Sequence, residues 1–229
     1  MTDPTYHYMF PTLILEKKDP NFDMVKSNVE ANIFNHIDEH GYTGESTGFV
    51  TLHQDPAFNF LFQFASEAAK DYVARLLIDP EDFDFYIVKS WANIIKNRSI
   101  PMHSHADAHL SFVYYVNVPD DTKTPLVFHN NPNRYEPFTG LTRWNSNEWD
   151  PVNSGSWAFI PNPGSIMVFP AKMNHECPCT STGPDDTGVK DLDDVRQHRV
   201  SIAGDIILTY KEKSNKALGL QPFENWQKF

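Results

Sequence analysis

Residues 110–118, LSFVYYVNV, are dense in β-branched and aromatic side chains and end at the turn-forming PDDTKT of 119–124. That composition suits a pleated, packed surface and reads as a β-strand. From about residue 83 the same texture recurs in FDFYIVKSWANII (83–95), PLVFHN (125–130), SWAFIP (156–161), GSIMVFP (164–170) and RVSIAGDIILTY (199–210). Turn chemistry such as PNPG (161–164) separates them. Short strands that follow one another without helices between them predict a β-sandwich or small antiparallel barrel, with helices packed on one face. A count of 17 Pro against 10 Gly agrees with many stiff connections.

The first third of the chain has a different period. In residues 24–40, MVKSNVEANIFNHIDEH, the apolar positions Val25, Val29, Ile33 and Ile37 recur at helical spacing, and Gly41 follows as a stop. Residues 57–78, AFNFLFQFASEAAKDYVARLLI, read as a second helix closed by Pro80. The fold class expected is mainly β with flanking helices (α+β). A helical part of about 1–82 would pack on a core of about 83–210, with 211–229 as a C-terminal tail and the whole chain as a single domain. Residues 131–155 and 180–198 resist a regular assignment, and loops of that length tend to be lids or binding segments.

Composition narrows the partners. The 229 residues carry 19 basic and 30 acidic side chains, a formal net charge of −11. Such a surface repels phosphate backbones, so nucleic acid is not an expected partner. No apolar run reaches the length of a membrane span, and MTDPTYHYMF at the start lacks the pattern of a signal peptide. The two cysteines, Cys177 and Cys179, lie too close together for an ordinary disulfide framework, which predicts a reducing, cytoplasmic setting.

Just before the strand at 110–118, PMHSHADAH places His103, His105, Asp107 and His109 on alternate residues. In extended chain, positions i and i+2 point the same way, so His105 projects with Asp107 and also with His103. Either pair offers two ligands to one ion. The candidate third is His175, which follows the apolar strand GSIMVFP. Two His and one carboxylate on one face form the facial triad of non-haem Fe(II) centres, whereas a closed zinc site takes four protein ligands. Further on, RVSIAGDIIL opens with Arg199 and has Ser201 on the same face. A guanidinium fork with a hydroxyl beside it suits one end of a dicarboxylate.

The order of these elements resembles that of the 2-oxoglutarate and Fe(II)-dependent dioxygenases. SWANI, MHSHADAHLSFVYYVNVP, PLVF, PGSIMVFPAKMNH and RVSIA, spread over roughly 88–210, carry the resemblance. It is closest to a group of bacterial and phage oxygenases with a His-x-His stretch, a strand like LSFVYYV, a late FP…H element and an R-x-S strand. The resemblance implies a double-stranded β-helix (jelly-roll) core. It also implies Fe(II), 2-oxoglutarate as cosubstrate and O₂, with hydroxylation of a C–H bond and release of succinate and CO₂. His105, Asp107 and His175 would then hold the metal. The closer group shares His103 and His105 instead of a carboxylate at 107, which leaves His103 as an alternative first ligand with His105 in the carboxylate's place. Arg199 would anchor the far carboxylate of 2-oxoglutarate, assisted by Ser201 and by Tyr115, which shares a face with Ser111 and Val113. Asn93 would face the cosubstrate.

Two other readings stay open. One is a cupin-type dioxygenase with a three-His iron site and no cosubstrate, which has no need of Arg199. The other is a non-enzymatic jelly-roll binding module. For an enzyme, a small molecule or a protein side chain is the expected substrate. Arg143, Trp144 and Trp149 offer a stacking patch for it, or simply pack their loop. His109 reads as an outer contact or a loop His, Trp91 as core, and Cys177 and Cys179 as reduced thiols.

Overall fold

The computed structural model describes residues 12–36, 51–95, 99–120, 124–130, 154–178, 191–211 and 220–228. Two antiparallel sheets dominate. The larger has the strand order β1-β7-β4-β9-β2, with β1 Leu15–Lys18, β2 Phe83–Ile95, β4 Leu110–Asn117, β7 Ser165–Pro170 and β9 Arg199–Tyr210. The smaller has the order β3-β8-β5-β6, with β3 Ile100–His103, β5 Leu126–His129, β6 Ser156–Phe159 and β8 His175–Cys177. This is the jelly-roll arrangement expected, mainly β with helices to one side.

Each strand of the large sheet has two apolar faces with different partners. Phe112, Tyr114 and Val116 of β4 pack with Ile166 and Val168 of β7 and with the helices. Val113 and Tyr115 point the other way, toward Leu126, Phe128, Met167, Phe169 and Cys177 between the sheets. The period of two thus sorts one strand between two cores. A strand buried on both sides reads as a continuous apolar run, which is why LSFVYYVN shows no polar alternation.

The helices cover the outer face of the large sheet. Helix α1 spans Phe22–Asn32 and continues as a 3₁₀ turn, Ile33–His36, burying Val25, Val29 and Ile33 as their spacing predicts. The expected extension through Ile37 lies outside the described residues. Helix α2 spans Asn59–Arg75, shorter at both ends than 57–78. Its N-terminus follows a 3₁₀ turn in which the Asp55 side chain accepts the Ala57 N–H. It ends where Leu77 takes a left-handed φ of 61°. Leu61, Phe62, Ala65, Ala68, Ala69, Tyr72 and Val73 form its buried stripe.

Three strands escape the sequence reading. LEKK (β1) carries too few β-formers to signal a strand. IPMH (β3) and HEC (β8) are short and stand beside turns. A short helix, Leu192–Gln197, lies inside the segment 180–198, whose earlier part is outside the described residues. So are residues 131–153, with Arg143, Trp144 and Trp149, and Cys179. Among the described residues, no helix is long and apolar enough to cross a membrane.

Candidate metal and cosubstrate site

Strands β3 and β8 pair so that His103 and His175 stand directly opposite each other. His105 follows two residues after His103, its backbone N–H donating to the Ala171 carbonyl at 2.8 Å. His103, His105 and His175 thereby converge, with one ligand atom of each within 4.8 Å of the others. The ring centroids are 4.3 Å apart for His103 and His175, 5.2 Å for His103 and His105, and 5.3 Å for His105 and His175.

All three rings are fixed through Nδ1. The Pro101 carbonyl accepts from His103 Nδ1 at 2.7 Å, and the Met173 carbonyl accepts from His175 Nδ1 at 2.9 Å. The Asp205 carboxylate accepts from His105 Nδ1 at 2.5 Å. Acceptors at every Nδ1 leave the Nε2 lone pairs for an ion, the arrangement in which outer partners set tautomer and orientation. His175 is buried, and burial above all pushes its pKa down to about 4, with His103 and His105 lowering it further. It is therefore neutral at pH 7, as a metal ligand must be. The donor set fits a divalent ion with nitrogen preference and coordination positions to spare.

Asp107 lies outside this grouping. Strand β3 ends at His103, and the chain turns at Ala106 and Asp107. The projection of positions 105 and 107 to one side requires extended backbone, and the turn removes it. The Asp107 side chain is 81% exposed, with its carboxylate 3.5 Å from Lys89 Nζ. His109 points elsewhere as well, its Nδ1 accepting the Leu208 N–H at 2.9 Å.

The cleft beside the three His has a volume of about 460 Å³ including its open mouth, and Arg199, Ser201, Asn93, Ser111 and Cys177 line it. Strand register explains the company: Asn93 on β2 and Tyr115 on β4 both pair with Ser201 on the intervening β9. Arg199 is 1% exposed. Its Nη1 donates to the Thr124 carbonyl at 3.3 Å, and its Nη2 lies 3.2 Å from Cys177 Sγ. Among the described residues its Nε has no partner, and neither has the buried Tyr115 hydroxyl. The guanidinium carbon sits 5.3 Å from the centre of the Tyr115 ring. Burial raises the Tyr115 pKa above the ordinary phenol value, so the hydroxyl remains a donor. Buried donors without acceptors are costly, and a bound carboxylate would satisfy both. The chemistry of the cleft thus fits a dicarboxylate as well as a metal.

Two residues of the site were missed or misread in sequence. Asp205 stands in the apolar run AGDIIL with no motif to mark it. Its signal was parity: it shares a strand face with Arg199, Ser201 and Ala203. Trp91, expected in the core, is half-buried and lines the cleft, its ring 5.5 Å from that of His105.

Residues 89–185 match the family model described as "Putative 2OG-Fe(II) oxygenase". No curated protein sequence matches the chain. The fold is similar to that of a Pseudomonas putida prolyl-4-hydroxylase, with TM-score 0.51, 12% identity, and coverage of 86% of this chain and 92% of that one. It is similar to AviO1 from Streptomyces viridochromogenes, with TM-score 0.53, 9% identity, and coverage of 89% and 91%. It is also similar to EctD from S. alaskensis, solved with 2-oxoglutarate and 5-hydroxyectoine, with TM-score 0.53, 15% identity, and coverage of 86% and 72%. The chain spans 64% of the length of a 2OG-Fe(II) oxygenase-family oxidoreductase from Burkholderia pseudomallei, at a TM-score of 0.42. The family match lies across the His cluster and the jelly-roll fold surrounds it, so residues 89–185 are similar to the 2-oxoglutarate- and Fe(II)-dependent oxygenases.

Proposed function

We propose that this protein is an Fe(II)- and 2-oxoglutarate-dependent oxygenase that hydroxylates a C–H bond of a small molecule or protein side chain, with Fe(II) held by His103, His105 and His175. In this reading Arg199, Tyr115 and Ser201 take the far carboxylate of 2-oxoglutarate, and Asn93 borders the cosubstrate. When bound, Fe(II) and 2-oxoglutarate supply oxygen activation coupled to decarboxylation to succinate and CO₂. The chain supplies geometry and a dry cleft. Acceptors at the three Nδ1 atoms fix the orientation of the imidazoles and leave the Nε2 atoms for an ion. Phe169, fully buried, packs its ring 4.9 Å from that of His175 and keeps water from that side. The guanidinium fork of Arg199 is suited to two carboxylate oxygens, and the Tyr115 O–H to a third hydrogen bond.

The observation that carries this reading is the meeting, in one cleft, of a three-imidazole cluster and a buried arginine with an unpartnered Nε. The same arginine weighs against a three-His dioxygenase that needs no cosubstrate, since there the Thr124 carbonyl and Cys177 would offset its desolvation only in part. The net charge of −11 and the free, buried Cys177 support a cytoplasmic protein that does not bind nucleic acid.

The test is an anaerobic titration of the Fe(II)-loaded protein with 2-oxoglutarate, following the visible metal-to-ligand charge-transfer band. The band should form in the wild type, vanish in His175→Ala, and need far more cosubstrate in Arg199→Ala. Bound iron without a band would replace this reading with the cosubstrate-free dioxygenase. No bound iron would leave a binding module.

A further inference from the structure

Three neutral imidazoles bring no negative charge to a divalent ion, whereas a facial triad brings one carboxylate. The carboxylate in this structure stands one bond network back. Asp205 is 3% exposed, and it faces Ser111 across the β4–β9 ladder. Its Oδ1 accepts from His105 Nδ1 at 2.5 Å and from Ser111 Oγ at 2.7 Å. Ser111 Oγ is itself 3.1 Å from His105 Nδ1, so the three groups form a closed triangle. Among the described residues, the Nδ1 partners of the other two imidazoles are neutral backbone carbonyls. A buried carboxylate that no lysine or arginine approaches within ion-pair distance among the described residues is expensive to keep, and this one spends its oxygen on a candidate ligand.

We propose that Asp205 is the positioning residue of the metal centre. It fixes His105 in the Nδ1–H form with Nε2 toward His103 and His175, and it supplies through that imidazole the negative charge that Asp107, out in solvent, does not. Ser111 holds Asp205 in place by donating its hydroxyl. The inference rests on the three-His reading of the site. It predicts a graded series. Asp205→Asn keeps a hydrogen-bond acceptor but removes the charge, Asp205→Ala removes both, and Ser111→Ala loosens the carboxylate alone.

The experiment has two arms. In metal-free wild-type protein labelled with ¹⁵N-histidine, NMR should find His105 protonated at Nδ1. A proton on Nε2 overturns the proposal without any variant having to fold. In the second arm Co(II) alone is the probe, titrated against a competing chelator while its visible d–d spectrum is recorded. Asp205→Asn should weaken Co(II) binding by ~10–100-fold, the usual effect of losing an outer partner, and Ser111→Ala by less. The d–d bands should shift in Asp205→Asn, a change that a purely structural role would not produce. Asp205→Asn with wild-type affinity and spectrum overturns the proposal if His175→Ala has lost Co(II). If His175→Ala also binds as the wild type does, the three-His site itself is wrong.

Discussion

His103 and His175 are cross-strand partners on β3 and β8, with ring centroids 4.3 Å apart. The pairing joins two residues 72 positions apart (175 − 103 = 72) and sets the third candidate ligand, His105, just beyond the strand end. A ladder position is more rigid than a loop, and two of the three imidazoles stand on one: His103 on the edge strand β3, and His175 on β8, which pairs with β3 on one side and β5 on the other.

The ligand set separates by mutation. His103→Ala, His105→Ala and His175→Ala should each weaken Fe(II) or Co(II) binding by more than the ~10–100-fold typical of an outer partner. Asp107→Ala should leave binding within about twofold, since an exposed ion pair with Lys89 contributes little. Isothermal titration of each variant under argon measures this. A large loss in Asp107→Ala would return the carboxylate to the ligand set.

Arg199 and Tyr115 should act on the cosubstrate in different ways. Arg199→Lys replaces a planar fork by a point charge and should raise the 2-oxoglutarate Kd by well over ~10-fold. Tyr115→Phe removes one neutral hydrogen bond, about 0.5–1.5 kcal/mol or ~2–12-fold in Kd. Because the Tyr115 hydroxyl has no partner among the described residues, its loss should leave the melting temperature unchanged or raise it. Binding isotherms beside thermal melts test the pair, and a destabilised Tyr115→Phe would mean that the hydroxyl is bonded within the protein.

Metal-free protein should lose stability in acid through His175. Its folded pKa of about 4 lies below the ordinary 6.5, chiefly because of burial. Between those values the unfolded chain takes up a proton that the folded chain refuses. Stability therefore falls as the pH drops from about 6.5 to about 4, by an amount of about 3 kcal/mol from this group. His53 and His109, also lowered by burial, act in the same direction. Urea melts across this range should show a shallower slope for His175→Gln than for wild type.

Gly204 sits where β9 passes Phe112. A Cβ there would lie 2.6 Å from two atoms of the Phe112 ring and 2.8 Å from the Lys89 carbonyl oxygen. The ring is fully buried and the carbonyl belongs to a strand, so neither can retreat freely. Gly204→Ala should cost about 1–3 kcal/mol by overpacking. It also stands next to Asp205, so weakened Co(II) binding should accompany the lower melting temperature. An unchanged melting temperature would show that β9 can shift locally.

How much of this was legible in the chain depends on the range of the interaction. Six strands and two helices were readable because period and β-branched or aromatic content are local properties: LSFVYYVN and RVSIAGDIILTY signal strands wherever they are placed. The candidates His103, His105, His175 and Arg199 were readable because metal ligands and anion forks need particular side chains. Sequence by itself therefore determined the fold class, the residue types of a candidate metal and dicarboxylate site, and the rough order of its parts. The tertiary structure decided which of those candidates meet. The turn at Ala106 and Asp107 follows from where β3 stops pairing with β8, and that turn carries Asp107 into solvent. Asp205 reaches His105, 100 residues earlier in sequence, only through the β4–β9 register, and apart from its strand parity no motif in GDII announces it. Strand pairing is a long-range choice made by the whole packed core, so the charge behind the candidate metal site belongs to the fold and not to any motif.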